Sequence, residues 1–193
     1  MLFAGKFQAR KRPIDAVQAV ARLGAAALLV MAGDGPLAGE ARTEASRLGI
    51  RLAWKGFINQ SQLPAAFALA DAVLVPSAWE SWGLIVNEAL ASGVPCVVTT
   101  RVACAPDLIV DAVTGFTCEP SDVDAMAARL DDIRRCKDYL RDGDTYEYEP
   151  RGMAPVMGRE LETIERECAD RELELYADER GLRVVSFEKE PYQ

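Results

Sequence analysis

Two apolar runs, Ala72-Val-Leu-Val75 and Cys96-Val-Val98, stand on either side of residues 76–95, and that spacing constrains the fold more than any other feature of the chain. Each run has the length of a strand and lacks the polar alternation of a half-exposed one, so both are expected to be buried. Between them lies Pro76-Ser-Ala-Trp-Glu80-Ser-Trp-Gly83-Leu-Ile-Val-Asn-Glu88-Ala-Leu-Ala-Ser-Gly-Val-Pro95. Its length suits one helix crossing between two parallel strands. Glu80 then sits in a loop at the carboxyl end of a strand, Gly83 at a helix start, and Glu88 on the helix. Leu84 and Glu88 are four apart and share a face, which puts Glu88 roughly 6 Å along the axis from the helix N-terminus. The free amides there can hold an anion. An anion clamp with a carboxylate on either side suits a nucleotide sugar.

The rest of the chain repeats the strand and helix alternation. Leu2-Phe3-Ala4 reads as a short strand, broken by Gly5 and followed by Lys6-Phe-Gln-Ala-Arg10-Lys11-Arg12-Pro13, a run with four cations. Taken alone, that run is as well explained by a solvated loop as by a binding loop. Pro13 opens a helix over 14–23 that Gly24 stops. Residues 26–32 form a continuous apolar strand, and Gly33-Asp-Gly-Pro36 reads as a tight turn, with close approach of a ligand to its backbone as the alternative. A helix over 39–48, a strand over 50–54 with Lys55-Gly-Phe57 as its exit, and a helix over 61–70 lead to the central stretch. After the Cys96–Thr99 strand come a short helix near 106–110, a sixth strand at Gly115-Phe-Thr-Cys118, and a helix over 122–134 with Ser121 as its N-cap.

This alternation predicts an α/β fold: a doubly wound, parallel, Rossmann-like sheet of about six strands with helices on both faces. In the common order 3-2-1-4-5-6 the first and fourth strands are neighbours, and ligands bind outside their carboxyl ends. The loops leaving those two strands are the basic loop and the Glu80 loop. Their convergence favours the functional reading of Lys6 and Lys11, because two ammonium groups and a helix N-terminus can neutralise a diphosphate without a metal ion.

Composition narrows the chemistry. A net charge of −8 argues against general nucleic-acid binding, which is driven by a surplus of Lys and Arg. The chain has no histidine, which removes the commonest general base and metal ligand together. The start of the chain, Met1-Leu-Phe-Ala-Gly-Lys6, does not read as a secretory signal, and the apolar run 25–32 is too short to span a bilayer. Five cysteines with no CxxC pair fit core positions in a reducing, cytoplasmic setting.

With seven residues between Glu80 and Glu88 inside the phrase Pro-Ser-x-x-Glu-Ser-Trp-Gly-Leu…Asn-Glu-Ala-Leu-Ala-Ser-Gly-Val-Pro, the chain resembles the donor-binding half of a retaining GT-B glycosyltransferase of family four, the group 1 type. Gly5-Lys6, Lys11, Gly33-Asp-Gly-Pro36 and Thr114-Gly-Phe116 stand where that family has its Gly-Lys or Gly-Arg, its second phosphate-binding lysine, its turn after the second strand and its late strand. The resemblance covers about residues 2–132. It implies that Lys6 and Lys11 contact the donor diphosphate together with the amides around Gly83 and Leu84. Glu88 would bind the ribose hydroxyls, the backbone around Phe57 would border the base, and Glu80 would contact the transferred sugar near the reacting carbon. No cofactor or metal is expected, the substrate being a nucleoside-diphosphate sugar.

The resemblance also implies an N-terminal acceptor domain that these residues do not contain, so the expected partners are the donor, an unidentified acceptor and that domain or subunit. Any peripheral membrane association would come through that other half. The alternative is a degenerate or truncated GT-B half that serves binding or assembly without activity of its own, and a sugar-nucleotide epimerase on the same fold is a third reading. Cys104 stands where related chains carry glycine, and Asp107 where many carry Glu, so residues 102–107 are left out of the site. Residues 1–134 are expected to be the nucleotide-sugar domain and 135–156 a linker. Residues 157–193 are expected to be a charged, mainly helical tail, helical over 157–180 with Met157, Leu161, Ile164 and Cys168 on one stripe, and ending in a possible strand over 182–187.

Overall fold

The computed structural model describes residues 1–142, 173–178 and 181–186, with side chains through residue 135. Six strands form one sheet: β1 Leu2–Ala4, β2 Leu28–Ala32, β3 Arg51–Gly56, β4 Val73–Val75, β5 Cys96–Thr99 and β6 Gly115–Cys118. They run in the order β3-β2-β1-β4-β5-β6, and every neighbouring pair is parallel. The winding therefore reverses between β1 and β4, as expected.

Consecutive strand residues point to opposite faces, and both faces are covered. On one side Phe3, Leu29, Met31, Leu74, Val97 and Phe116 pack against Val17, Val20, Met126 and Leu130 from α1 (Pro13–Ala21) and α6 (Val123–Asp142). On the other, Leu2, Val73, Val75, Cys96 and Val98 meet Val86, Ala89, Leu90 and Leu108 from α4 (Leu84–Ala91) and α5 (Ala105–Leu108). Every residue of β4 and β5 is buried, which is why these runs show no polar alternation. The outer strand β3 has only intermediate and exposed positions. Helices α2 (Ala38–Leu48) and α3 (Leu63–Ala68) complete the layers.

Three local expectations are corrected. The cap of α6 is Asp122, whose Oδ1 accepts the Ala125 amide at 2.9 Å; Ser121 instead takes a left-handed φ of 71°. Helix α6 runs on to Asp142, through the first part of the expected linker. The helix expected over 157–180 gives way to strand β7 at Leu173–Asp178, antiparallel to β8 at Gly181–Ser186. Leu173, Leu175 and Ala177 alternate with Glu174, Tyr176 and Asp178, a period of two that suits a strand, and β8 lies close to the terminal strand expected over 182–187. The remaining tail assignments, 157–172 among them, fall outside the described residues.

Candidate functional site

The carboxyl ends of β1, β2 and β3 are tied together beneath a cavity. The Gly5 amide donates to the Ala32 carbonyl at 2.9 Å and the Gly33 amide to the Gly56 carbonyl at 2.6 Å. Gly33 has φ 131°, and a Cβ on it would lie 1.8 Å from the Gly5 carbonyl oxygen. The glycine thus serves close approach of the chain's own backbone. From this floor the β1 exit loop rises around Phe7, which is fully buried between Phe3 and Trp54 with ring centroids at 5.4 and 4.8 Å. Arg12 closes the loop at a left-handed φ of 49° and pairs with the buried Asp15 at 2.6 Å.

The cavity, about 740 Å³, is walled by Lys6 and Lys11 from the β1 exit, Gly33 and Asp34 from the β2 exit, Phe57, Ile58 and Leu63 after β3, and residues 80–85 of the β4 exit and α4. Lys6 is exposed and Lys11 half-buried. Gly83, at φ 108°, is the residue before α4, and no side chain caps the helix. The first bond at this end runs from the Val86 amide to the Gly83 carbonyl at 2.8 Å, so the amides of Gly83, Leu84 and Ile85 precede it, and amides in that place at a helix start can take an anion. A Cβ on Gly83 would lie 2.6 Å from Val102 Cγ1 and 3.4 Å from Cys104 Sγ, and the Cys104 amide donates to the Trp82 carbonyl at 3.0 Å. The loop over 102–104, set aside in the sequence reading, is therefore the buttress beneath the helix start.

Glu80 is buried, 8% exposed, and surrounded by donors. Its Oε1 accepts the Ser77 hydroxyl at 2.7 Å and pairs with Lys11 Nζ; its Oε2 accepts from Arg10 at 2.7 Å. Burial alone would raise its pKa. The hydrogen bonds from Lys11 and Ser77, the Lys11 charge and Arg10 outweigh burial and hold the carboxyl below the usual range. The Glu80 backbone is fixed as well, its amide donating to the Arg101 carbonyl at 3.0 Å and its carbonyl accepting from the Ala103 amide at 3.2 Å.

Of the residues chosen from sequence, Lys6, Lys11, Phe57, Glu80, Gly83 and Leu84 line the one cavity. Phe57 is 81% exposed at its mouth. Glu88 stands apart, half-buried on the next turn of α4 and outside the cavity lining, where Gln60 Nε2 comes within 3.4 Å of its carboxylate. Arg10 was counted in the basic loop but not singled out; its contacts with Glu80 show which way it points. Trp82, tied to Asn87 through Nε1 at 2.8 Å, is a second wall residue that its apolar character alone does not distinguish from core.

The cysteines with described side chains, Cys96, Cys104 and Cys118, are free and buried. Burial pushes Cys104 up to about 11 and Cys118 up to about 12, and raises Cys96 too, so all three stay protonated at neutral pH. Native protein treated with iodoacetamide at about pH 8, near the ordinary thiol pKa, is expected to leave these three unmodified by peptide mass mapping. Labelling of any of them before unfolding would contradict the packing.

The family model described as "Glycosyl transferases group 1" matches residues 1–149. Among similar curated proteins, the glycogen synthase of Mycobacterium tuberculosis is 31% identical over 137 residues, 67% of this chain and 32% of that protein. The N-acetyl-alpha-D-glucosaminyl L-malate synthase of Bacillus anthracis is 34% identical over 131 residues, 66% of this chain and 34% of that protein. A GDP-mannose-dependent phosphatidylinositol dimannoside mannosyltransferase of M. tuberculosis is 41% identical over 93 residues, 48% of this chain and 24% of that protein. The chain thus spans about a third or less of the length of these relatives. Among solved structures, the lipopolysaccharide outer core galactosyltransferase WaaB superposes with a TM-score of 0.62 at 25% identity, covering 70% of this chain and 40% of that one. Anabaena HepE in complex with UDP-glucose gives 0.63 at 20% identity, covering 88% and 47%, a likeness of fold.

Proposed function

Because the chain belongs to the group 1 glycosyl transferases, we propose that it binds a nucleoside-diphosphate sugar between the β1 and β4 exits. With an acceptor-bearing lobe closing over the cavity, as a further domain or a separate subunit, the glycosyl group would then pass to the acceptor with retention of its anomeric configuration. The observation that carries this reading is the meeting of Lys6, Lys11 and the uncapped start of α4 at one cavity beside Glu80. In it, the two ammonium groups and the amides at Gly83 and Leu84 hold the diphosphate without a metal ion, and stabilise it as it departs. Phe57 and Ile58 border the base. Glu88, one turn along α4 with Gln60 beside it, takes the ribose hydroxyls, and Glu80 takes the sugar near the reacting carbon. Relatives named as using GDP-mannose and a fold neighbour bound to UDP-glucose make either base a fair first probe. A reducing, cytoplasmic setting belongs to the same reading.

The experiment is thermal unfolding with UDP, GDP or ADP at millimolar concentration. A diphosphate at a hundred times its Kd adds about 2.7 kcal/mol, which for a chain of this size raises Tm by about 5–10 °C. Lys11→Ala and Glu88→Ala are each expected to weaken binding about ten- to a hundredfold and to remove half or more of that rise. No rise with any of the three nucleotides would refute the reading. One observation favours the other reading, a GT-B half that binds or assembles without catalysing transfer: both Glu80 oxygens are already engaged by the chain's own side chains. That reading expects diphosphate binding to persist while no supplied acceptor lobe restores transfer.

A further inference from the structure

Arg10 has no part in the donor contacts above, yet it makes the most specific contacts in the basic loop. Its Nη1 donates to Glu80 Oε2 at 2.7 Å and to the Trp79 carbonyl at 3.2 Å. Its guanidinium lies 4.7 Å from the centroid of the Trp79 ring, and its own carbonyl accepts the Ala78 amide at 2.8 Å. One residue of the β1 exit is thereby latched to three consecutive residues of the β4 exit.

The two oxygens of Glu80 are held differently. Oε2 is gripped by a planar guanidinium that is itself stacked on an indole, a geometry with little freedom. Oε1 is shared by the Ser77 hydroxyl and by Lys11, whose ammonium sits on a flexible stem that also lines the cavity. A diphosphate entering the cavity offers Lys11 a stronger anion than a carboxylate that already has two other donors. When Lys11 turns to it, Oε1 loses that cation and keeps the Ser77 hydroxyl, and the charge-assisted bond that still sets the direction of Glu80 is the one from Arg10 at Oε2.

We propose that Arg10 is a positioning residue: it fixes Oε2 while Lys11 exchanges Oε1 for the donor diphosphate, which leaves Oε1, still held by the Ser77 hydroxyl, with room for a second donor and aimed at the hydroxyls of the donor sugar. This rests on the nucleotide-sugar reading and deepens it. The nucleotide and sugar parts of donor affinity then depend on different cations, Lys11 for the first and Arg10, acting through Glu80, for the second.

Titration calorimetry on the full chain separates the two. Wild type, Arg10→Gln and Arg10→Lys are each titrated with whichever of UDP, GDP and ADP binds, and with the tightest-binding of several sugar conjugates of that base. Arg10→Gln is expected to weaken the sugar conjugate about tenfold while changing the free diphosphate by no more than about twofold. Arg10→Lys, which can pair with Glu80 but cannot fork or stack, is expected to show a smaller effect of the same kind; it carries the test should Arg10→Gln fail to fold. Equal losses for both ligands would make Arg10 a phosphate ligand or a general brace, and no loss for either would make it dispensable. Each result overturns the assignment and leaves the nucleotide-sugar reading standing. Failure of the wild type to bind any of the nucleotides overturns both.

Discussion

Gly33→Ala is expected to lower stability by about 3 kcal/mol, the sum of left-handed backbone strain and a forced shift in a close-packed region. The new Cβ would lie 1.8 Å from the Gly5 carbonyl oxygen and 2.9 Å from its carbon, with φ at 131°. Both atoms are backbone, so no rotamer change can make room. Nor is the backbone free to retreat, because the Gly5 amide is bonded to the Ala32 carbonyl and the Gly33 amide to the Gly56 carbonyl. For a chain of this size the loss corresponds to a fall in Tm of about 10 °C, measurable by circular dichroism. Gly39 supplies the control: it is exposed inside α2 with nothing near an added Cβ, so Gly39→Ala should raise stability by about 0.5–1 kcal/mol. A Gly33→Ala protein melting within about 2 °C of wild type, a difference of under 1 kcal/mol, would show that the β1 and β2 exits are not locked as described.

The contrast between these glycines shows what a one-dimensional reading can resolve. In sequence Gly33 is a turn glycine with two uses, a tight bend or a ligand's approach, and the fold adds a third that the sequence does not show. The close approach is to Gly5, a residue of another strand's exit, and only the parallel pairing of β1 with β2 brings the two together. The strands themselves were legible because β4 and β5 are buried on both faces and so appear as unbroken apolar runs. Their order followed from a topological rule that needs no side-chain detail. That order was enough to bring the basic loop to Glu80.

It was not enough to say which cation of that loop would do what. Arg10, Lys11 and Arg12 are adjacent, and their directions are set by a single turn of 3-10 helix over Ala9–Lys11 that ends at the left-handed Arg12. Arg10 and Lys11 turn to Glu80 while Arg12 turns back to Asp15. Glu88 shows a related limit: its four-residue spacing from Leu84 was read correctly, but the cavity ends at Ile85, short of the next helical turn. In the tail, dense charge with one narrow apolar stripe favours a helix, and the period-two pattern over 173–178 is short enough to be masked by it in the sequence. Asp178 pairs with Gly181, the first residue of β8.

Glu80→Gln is expected to move stability and nucleotide affinity in opposite directions. The amide has nearly the shape of the carboxylate but no charge, and its NH₂ group must face a cation, Arg10 on one side or Lys11 on the other. With those two side chains 30% and 21% exposed, water softens the loss, and about 2 kcal/mol is expected at neutral pH. The pH dependence identifies the cause. A carboxyl held below the usual range in the folded chain stabilises it above the unfolded value of about 4.3 and loses that contribution as pH falls through the folded value. The gap between wild type and Glu80→Gln should thus be flat around neutrality and close in acid below about pH 4. Over the same neutral range Lys11, no longer held by an anion of its own chain, is free to meet a diphosphate, so calorimetry should show the free nucleotide binding several-fold more tightly. Affinity falling together with stability would mean that Glu80 presents Lys11 to the diphosphate instead of competing for it, and the exchange of partners at Oε1 would then have to be given up. A rise in affinity with a loss of stability, by contrast, would show that the ligand-free chain keeps Glu80 neutralised by the same lysine that the donor must recruit.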